Sequence, residues 1–163
     1  MVSLIKGERV VAFTDLAPQE QEMLRRAQRK LALSHHPYSR SEHCVAATVW
    51  VVLPNGQNRY HTSPNIEVRP RAGTCAEDGA IFMTIANGHQ TSARAICVID
   101  ENGDGSPTEA VPYPCPGSRG AIAELAQLSG LRDDFPVILS TTNFDKVVVT
   151  KIGVLLPHAF DYP

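Results

Sequence analysis

Two short cysteine-containing stretches constrain this chain more than any other feature of its sequence. They are residues 74–77 (TCAE) and residues 114–119 (PCPGSR), and each precedes a segment with helical spacing of its apolar residues. Cys75 and Cys115 are therefore predicted at helix N-termini, where unpaired N–H groups and the helix dipole favour a thiolate. Two such ends brought together would form a metal site. Glu77 would face the same pocket without binding the metal, which suits a proton carrier.

The composition predicts one folded domain over residues 1–163, with residues 1–17 as an N-terminal arm. A chain of 163 residues with 43% hydrophobic residues is long enough and apolar enough to bury a core. Its 15 basic and 17 acidic residues give a formal net charge of −2, without a basic run. A nucleic-acid partner is therefore not expected.

The N-terminus and the cysteines indicate the compartment. The first residues lack the apolar core and cleavage site of a secretory signal, and no apolar run is long enough to span a bilayer. We therefore expect a cytoplasmic protein without membrane association. In that reducing compartment the four cysteines are expected to be buried or to bind metal rather than to form stable disulfides.

The spacing of the apolar residues predicts an α/β fold. Helices are predicted over residues 18–33, 75–87 and 118–129, and the central one, apolar on most sides, is expected to be buried. Strands are predicted over residues 44–53, 59–62, 93–100, 136–141 and 146–150, the first two forming a hairpin. Residues 64–73 are predicted to be an irregular link. This order gives a three-layer α-β-α sandwich whose mixed sheet has about five strands.

The two cysteine stretches resemble the signature of the cytidine deaminase family, the small homotetrameric zinc-dependent nucleoside deaminases. In that signature, Cys-Ala-Glu is followed by Pro-Cys-x-x-Cys. Three more landmarks of the family occur in the right order, at residues 37–39 (PYS), 65–67 (NIE) and 155–160 (LLPHAF). The resemblance therefore extends over most of the chain.

The resemblance implies a function and a role for each matching residue. It implies hydrolytic deamination of cytidine, deoxycytidine or a related aminopyrimidine nucleoside, as in pyrimidine salvage, by a zinc-activated water. Glu77 would be the proton shuttle, and Cys75, Cys115 and position 118 would hold the Zn²⁺. Contacts with the substrate are implied for Asn65 and Glu67 at the ribose hydroxyls, for Ala76, and for Phe160, whose ring would stack on the base across a subunit interface of the homotetramer.

Two positions depart from the pattern of the family. Ser118 stands where the family has its third zinc-binding cysteine, and a neutral hydroxyl is a poor zinc ligand. Asp78 stands where an arginine commonly faces the ligand sulfurs. Two thiolates, a neutral serine and Zn²⁺ sum to zero charge, so a nearby cation is no longer needed. The paired changes are compatible with a site retuned to neutral charge and also with the decay of an unused site.

These departures leave two functions open. The first is the zinc-dependent deaminase, with Ser118 or a substitute from elsewhere as third ligand, and the candidate substitutes are His43, Cys44 and His61. The second is a non-catalytic or repurposed homologue that binds nucleosides or acts as an assembly subunit. Glu77 favours the enzyme, because a binding protein has no need of a proton shuttle. Ser118 favours the second function.

Overall fold

A six-stranded mixed sheet forms the centre of the molecule, as seen in a computed structural model that describes residues 6–37, 43–69 and 72–157. The strands are β1 (Arg9–Val11), β2 (His43–Val52), β3 (Asn58–Pro64), β4 (Ile66–Arg69), β5 (Ala72–Thr74), β6 (Ala93–Asn102), β7 (Pro136–Thr141) and β8 (Val147–Lys151). The helices are α1 (Pro18–Leu31), α2 (Ala76–Ala86), α3 (Pro116–Leu128) and the short α4 (Ile152–Leu155). The order of strands in the main sheet is β1-β8-β7-β6-β2-β3.

The pairing in this sheet follows from its connections. β6 and β7 are parallel, and α3 lies between them in the chain as the crossover that a parallel pair requires. The other neighbouring strands of the sheet are antiparallel. The predicted α/β fold with a mixed sheet is confirmed. The sheet has six strands rather than about five because part of the predicted arm, β1, pairs with β8 at one edge.

Helices cover both faces of the sheet, which makes the three layers. The alternation of side chains along β6 divides its residues between the two faces. Cys97 and Ile99 pack with the buried stripe of α1, whereas Ile96 and Val98 pack with residues of α2 and α3. Cys97 is fully buried, which is one of the two outcomes expected for the cysteines.

The prediction of an irregular link over residues 64–73 is wrong. Within it lie β4 and, at its end, the start of β5, which form a separate two-stranded antiparallel sheet. No alternating pattern marks these strands in the sequence, because they are short and their pairing is irregular between Glu67 and Arg69. Gly73 lies opposite Glu67, and a Cβ at Gly73 would lie 2.9 Å from Glu67 Cγ, so the close approach of these strands requires glycine.

The prediction that the central helix is buried holds for only one of its faces. Ala76, Ala80, Ile81 and Thr84 of α2 are buried. The opposite face exposes Phe82, Met83 and Ile85 at 59%, 44% and 45% of their surface. Apolar residues on all sides of a helix do not reveal which of them a single chain covers.

In the part of the chain that the structure describes, no helix has the length and hydrophobicity needed to cross a membrane.

Substituting Gly79 tests the packing of α2 on the sheet. A Cβ at Gly79 would lie 2.2 Å from Ser63 Oγ on β3, so Gly79→Ala should lower the free energy of unfolding by about 1–3 kcal/mol through overpacking. The matched control is Gly120→Ala in α3, where a Cβ meets no atom within 4 Å. It should raise stability by about 0.5–1 kcal/mol because alanine favours the helix. Urea unfolding measures both, and equal effects of the two substitutions would contradict the packing.

Candidate active site

The two cysteines begin two helices that face each other. Cys75 is the N-cap of α2 and Cys115 is the N-cap of α3, each with an extended backbone, and each carbonyl accepts the first helical hydrogen bond. Pro116 follows at the first position of α3, where its fixed φ suits a helix start. Because α2 packs against α3, the two cysteines lie close enough together to line a common cavity.

Ser118 joins the two thiols in one cluster. Its backbone N–H donates to Cys115 Sγ at 3.4 Å, and the Cys115 thiol donates to Ser118 Oγ at the same distance. The Ser118 side chain also lies near Cys75 and lowers the pKa of that thiol. Ser118 is fully buried, whereas both cysteines are exposed. The three predicted metal-binding side chains therefore meet at one point.

The two thiols have different proton affinities in the absence of a metal. Burial raises the pKa of Cys75 to about 11, with a smaller opposing effect of its hydrogen bond to Ser118. Hydrogen bonding with the side chain and the backbone N–H of Ser118 lowers the pKa of Cys115. Cys115 is thus the stronger thiol acid of the pair.

Glu77 is a buried carboxyl group beside these thiols. It lies in the first turn of α2, where helix residues commonly carry a negative charge, and only 5% of its surface is exposed. Burial raises the pKa of Glu77 above its ordinary value, and the nearby Asp78 raises it further. A carboxyl group with a raised pKa can both accept and donate a proton near neutral pH.

A cavity of about 220 Å³ contains the thiols and Glu77. Its wall is partly apolar, and it is lined by Val45, Asn65, Cys75, Ala76, Glu77, Val98, Pro112, Tyr113 and Cys115. An adjoining cavity of about 280 Å³ is lined by Asn65, Ile66, Glu67, Gly73, Thr74 and Cys75. The two cavities share Asn65 and Cys75. An apolar compartment with an acid and two thiols thus adjoins a compartment with a carboxylate and an amide.

Backbone contacts fix the amide and the carboxylate of the second compartment. Asn65 Oδ1 accepts a hydrogen bond from the N–H of Val45 at 3.0 Å, and the N–H of Asn65 donates to the Val45 carbonyl at 2.9 Å. The N–H of Glu67 donates to the carbonyl of His35, which forms a bridge to Ile66. Both side chains are therefore held on backbone that is anchored on either side.

Sequence reasoning did not identify Tyr113 as a residue of the cavity. Tyr113 Oη donates a hydrogen bond to Glu8 Oε2 at 2.8 Å, and Glu8 is buried. Burial and this hydrogen bond raise the pKa of Tyr113 to about 12, so the phenol stays protonated. Its position directly before Pro114-Cys115 was a signal for Tyr113. No signal was available for Glu8, which lies 105 residues away.

Arg119 fixes the loop that carries Cys115. Its Nε donates to the Pro114 carbonyl at 2.8 Å, and its Nη1 donates to the Leu155 carbonyl at 3.2 Å. One guanidinium thus ties the start of α3 to the end of α4, which a planar group with several fixed donors does well. Arg119 therefore holds the loop that carries Cys115 in place through these two hydrogen bonds.

The side chains of the thiol cluster meet most of what a zinc ion requires of its ligands. Over residues 6–37, 43–69 and 72–157, no group of three or more His, Cys, Asp or Glu side chains is placed to hold a metal. Zinc usually takes three protein ligands from sulfur, nitrogen or carboxylate in an open site. Cys75 and Cys115 satisfy this chemistry, and Ser118 adds a weak third donor at the right place. The residues thus fit zinc in position, with one donor weaker than usual.

None of the three candidate substitute ligands joins this cluster to make a third strong donor. The Cys44 thiol instead contacts His36 Nε2 at 3.5 Å. His61 Nε2 lies 2.9 Å from His89 Nδ1, and burial lowers the pKa of His61. His43 lies near the buried carboxyl group of Asp100. The side chains that sequence spacing left open are thus engaged elsewhere.

Two of the predicted landmarks lie outside the described residues. They are Phe160, predicted to stack on the base, and Tyr38-Ser39 of the PYS motif.

The fold is that of cytidine deaminases of known structure. Cytidine deaminase from Burkholderia pseudomallei is 26% identical in sequence, with a TM-score of 0.68 over 85% of this chain and 97% of that one. Cytidine deaminases from Mycobacterium tuberculosis and Mycobacterium leprae are 23% and 22% identical, with TM-scores of 0.60 and 0.59. They cover 90% and 87% of this chain and all of their own, a likeness that shows the fold alone. No family model and no curated protein matches the sequence.

Tyr113→Phe tests the contact that holds the wall of the cavity. It removes a donor from a buried carboxylate and should lower the free energy of unfolding by about 1–3 kcal/mol. The matched control is Tyr60→Phe, which keeps the ring that lies under the Arg26 guanidinium and should change stability by less than about 0.5 kcal/mol. Urea unfolding in a double-mutant cycle with Glu8→Ala measures the coupling. Strictly additive effects of Tyr113→Phe and Glu8→Ala would contradict the contact.

Proposed function

We propose that this protein is a hydrolase that deaminates cytidine, deoxycytidine or a related aminopyrimidine nucleoside. The observation that carries the proposal is the buried Glu77 in one cavity with the exposed thiols of Cys75 and Cys115. A structural carboxylate is rarely buried beside two thiols in a cavity, whereas a proton carrier needs that place. The fold shared with cytidine deaminases is consistent with it.

The two compartments suit the two parts of a nucleoside. The first has apolar walls from Val45, Val98 and Pro112, which suit a flat base. The second offers Asn65 and Glu67, whose amide and carboxylate suit the hydroxyl groups of a ribose. Because Asn65 Oδ1 accepts a hydrogen bond from the N–H of Val45, the Nδ2 group is the end of the amide that would donate to a substrate oxygen.

The proposed chemistry assigns the proton transfers to Glu77. The carboxylate would accept a proton from the attacking water and would donate it to the ring nitrogen and then to the leaving amine. The raised pKa of Glu77 favours this double role, because an acid of ordinary pKa would hold the proton too weakly at neutral pH. Burial beside Ala76 keeps bulk water from competing for that proton.

Cys75, Cys115 and Ser118 would hold a Zn²⁺ ion in this proposal. When bound, the ion would supply the Lewis acidity that makes water a nucleophile at neutral pH. The two thiolates would be its strong ligands, and the hydroxyl of Ser118 would contribute weakly. The affinity for zinc is therefore expected to be lower than in a site with three thiolates.

Three proteins test the proposal: the wild type, Glu77→Gln and Ser118→Cys. We expect the wild type to convert cytidine, with loss of its ultraviolet absorbance, and Glu77→Gln to be about 10²–10⁴-fold slower because the proton carrier is lost. Ser118→Cys should bind zinc more tightly in a chelator competition, because a thiolate replaces a hydroxyl. Glu77→Gln that retains the zinc content and the rate of the wild type would contradict the assigned role.

One observation favours the second candidate, a non-catalytic or repurposed homologue that binds nucleosides or serves as an assembly subunit. It is the fully buried Ser118 in the place of a thiolate. If the wild type binds cytidine in equilibrium dialysis but neither turns it over nor takes up zinc, this candidate replaces the enzyme. Turnover that depends on Glu77 would reject it.

We also propose that the chain assembles into a homotetramer. Support comes from Phe82, Met83 and Ile85, three large apolar side chains that α2 exposes side by side in the single chain. Exposure of such a patch to water is unfavourable, and burial of the patch against another copy would stabilise the assembly. The stacking predicted for Phe160 across a subunit interface also requires such an assembly.

Phe82→Glu tests this assembly. A charge in the centre of an apolar interface should convert the wild-type oligomer to smaller species in multi-angle light scattering. The matched control is Leu33→Glu, an equally exposed apolar position that follows α1 on the other face of the sheet, and it should leave the mass unchanged. A wild-type protein that is a monomer at micromolar concentration would contradict the proposal.

A further inference from the structure

The metal-free cluster contains two thiols, which is the number that a disulfide uses. Cys75 and Cys115 line the same cavity of about 220 Å³, and both are exposed. The third side chain of the cluster, Ser118, cannot form a bond to sulfur and lies buried beneath them. The serine that weakens the donor set for zinc therefore leaves a pair of thiols in the wall of the cavity.

The remaining cysteines do not compete with this pair. Cys97 is fully buried in the core between the sheet and α1, where oxidants do not reach. Cys44 packs on the same α1 side and contacts His36. Cys75 and Cys115 lie on the opposite side of the sheet, at the N-termini of α2 and α3. The oxidation chemistry of the chain is therefore expected to concentrate on one pair.

The positions of the two cysteines favour a disulfide between them. A disulfide needs its two Cβ atoms about 4 Å apart, and Cys75 and Cys115 line the same cavity at the N-termini of two helices that pack together. Both residues are N-caps with an extended backbone, so neither cysteine lies inside a helix that the bond would distort. Gly117 follows close to Cys115, with room for a Cβ at 3.9 Å from its sulfur, so the loop does not clamp the thiol.

We propose that Cys75 and Cys115 form a reversible redox pair that peroxides oxidise to a disulfide. One thiol attacks the peroxide O–O bond and becomes a sulfenic acid with release of water, and the second thiol displaces the hydroxyl group as a second water. The two thiols together lose two electrons and two protons, and hydrogen peroxide is reduced to two molecules of water. A small dithiol reverses the reaction by thiol–disulfide exchange.

The disulfide would change the site in two ways. It removes both strong metal donors at once, so that of the three proposed zinc ligands the oxidised chain keeps only the Ser118 hydroxyl. It also ties the N-termini of α2 and α3 together beside Glu77, in the wall of the cavity. The pair would thus act as an oxidation-sensitive control of whatever the cavity binds. This inference does not depend on deamination.

The test measures thiols and peptide masses rather than activity. The reduced full-length chain, freed of metal by a chelator, is treated with a few equivalents of hydrogen peroxide, and its four thiols are counted after unfolding. The oxidised chain is digested with trypsin and an Asp-specific protease, because trypsin alone leaves Cys97 and Cys115 together on residues 95–119. We expect two of the four thiols to disappear, a peptide that links Cys75 to Cys115, and recovery of all four thiols with dithiothreitol.

Matched variants decide whether the pair is specific. Cys75→Ser and Cys115→Ser should each abolish the linked peptide, whereas Cys44→Ser should form it at the rate of the wild type. Sulfinic acid on separate cysteines without a linked peptide would overturn the proposal. So would linked peptides that contain Cys44 or Cys97 in comparable amounts. Since no readout involves a nucleoside, a failed deamination assay and a failed redox pair remain distinguishable.

Discussion

The contact between the N-termini of α2 and α3 is the feature on which the site depends. It exists because both helices pack on the same face of the sheet, α2 against β2 and β3 and α3 against β6. Gly79 lets α2 approach β3 closely, and Arg119 holds the loop at the start of α3 through the carbonyls of Pro114 and Leu155. Two helix ends with their unpaired N–H groups then share one small volume, and that volume is where polar chemistry can be buried.

Four polar side chains meet at the N-termini of α2 and α3. They are a carboxyl group, two thiols and a hydroxyl group, and each loses hydration there. Burial raises the pKa of Glu77 and of Cys75, while the hydrogen bonds of Ser118 lower the pKa of Cys115. A divalent cation would offset this loss of hydration by stabilising the thiolate form of both cysteines. A disulfide would offset it by removing the two ionisable thiols. Ser118 is compatible with both states, because it stabilises a thiolate by hydrogen bonding but is a weak metal ligand.

Residues far from the two cysteines in the sequence hold the walls of the two cavities in place. Glu8, next to the edge strand β1, accepts the hydrogen bond of Tyr113 and so connects the N-terminal segment with the wall of the cavity. The small sheet of β4 and β5 carries Glu67, and the bridge between His35 and Ile66 fixes the position of this sheet. The apolar residues that α2 exposes lie on the same helix as Glu77, so the surface proposed for assembly and the proposed catalytic residue share one rigid element.

The sequence by itself determined the helices, most of the strands and the location of both cysteines at helix starts. These features follow from local apolar spacing and from capping, which involve residues within a few positions of one another. Only the tertiary structure decided that β1 completes the sheet, that β4 and β5 pair, and that Glu8 reaches Tyr113 across 105 residues. It also decided that Ser118 is buried against Cys115 while His61 and Cys44 are engaged elsewhere. Several of these contacts join residues far apart in sequence, and their energies depend on packing that no local pattern records.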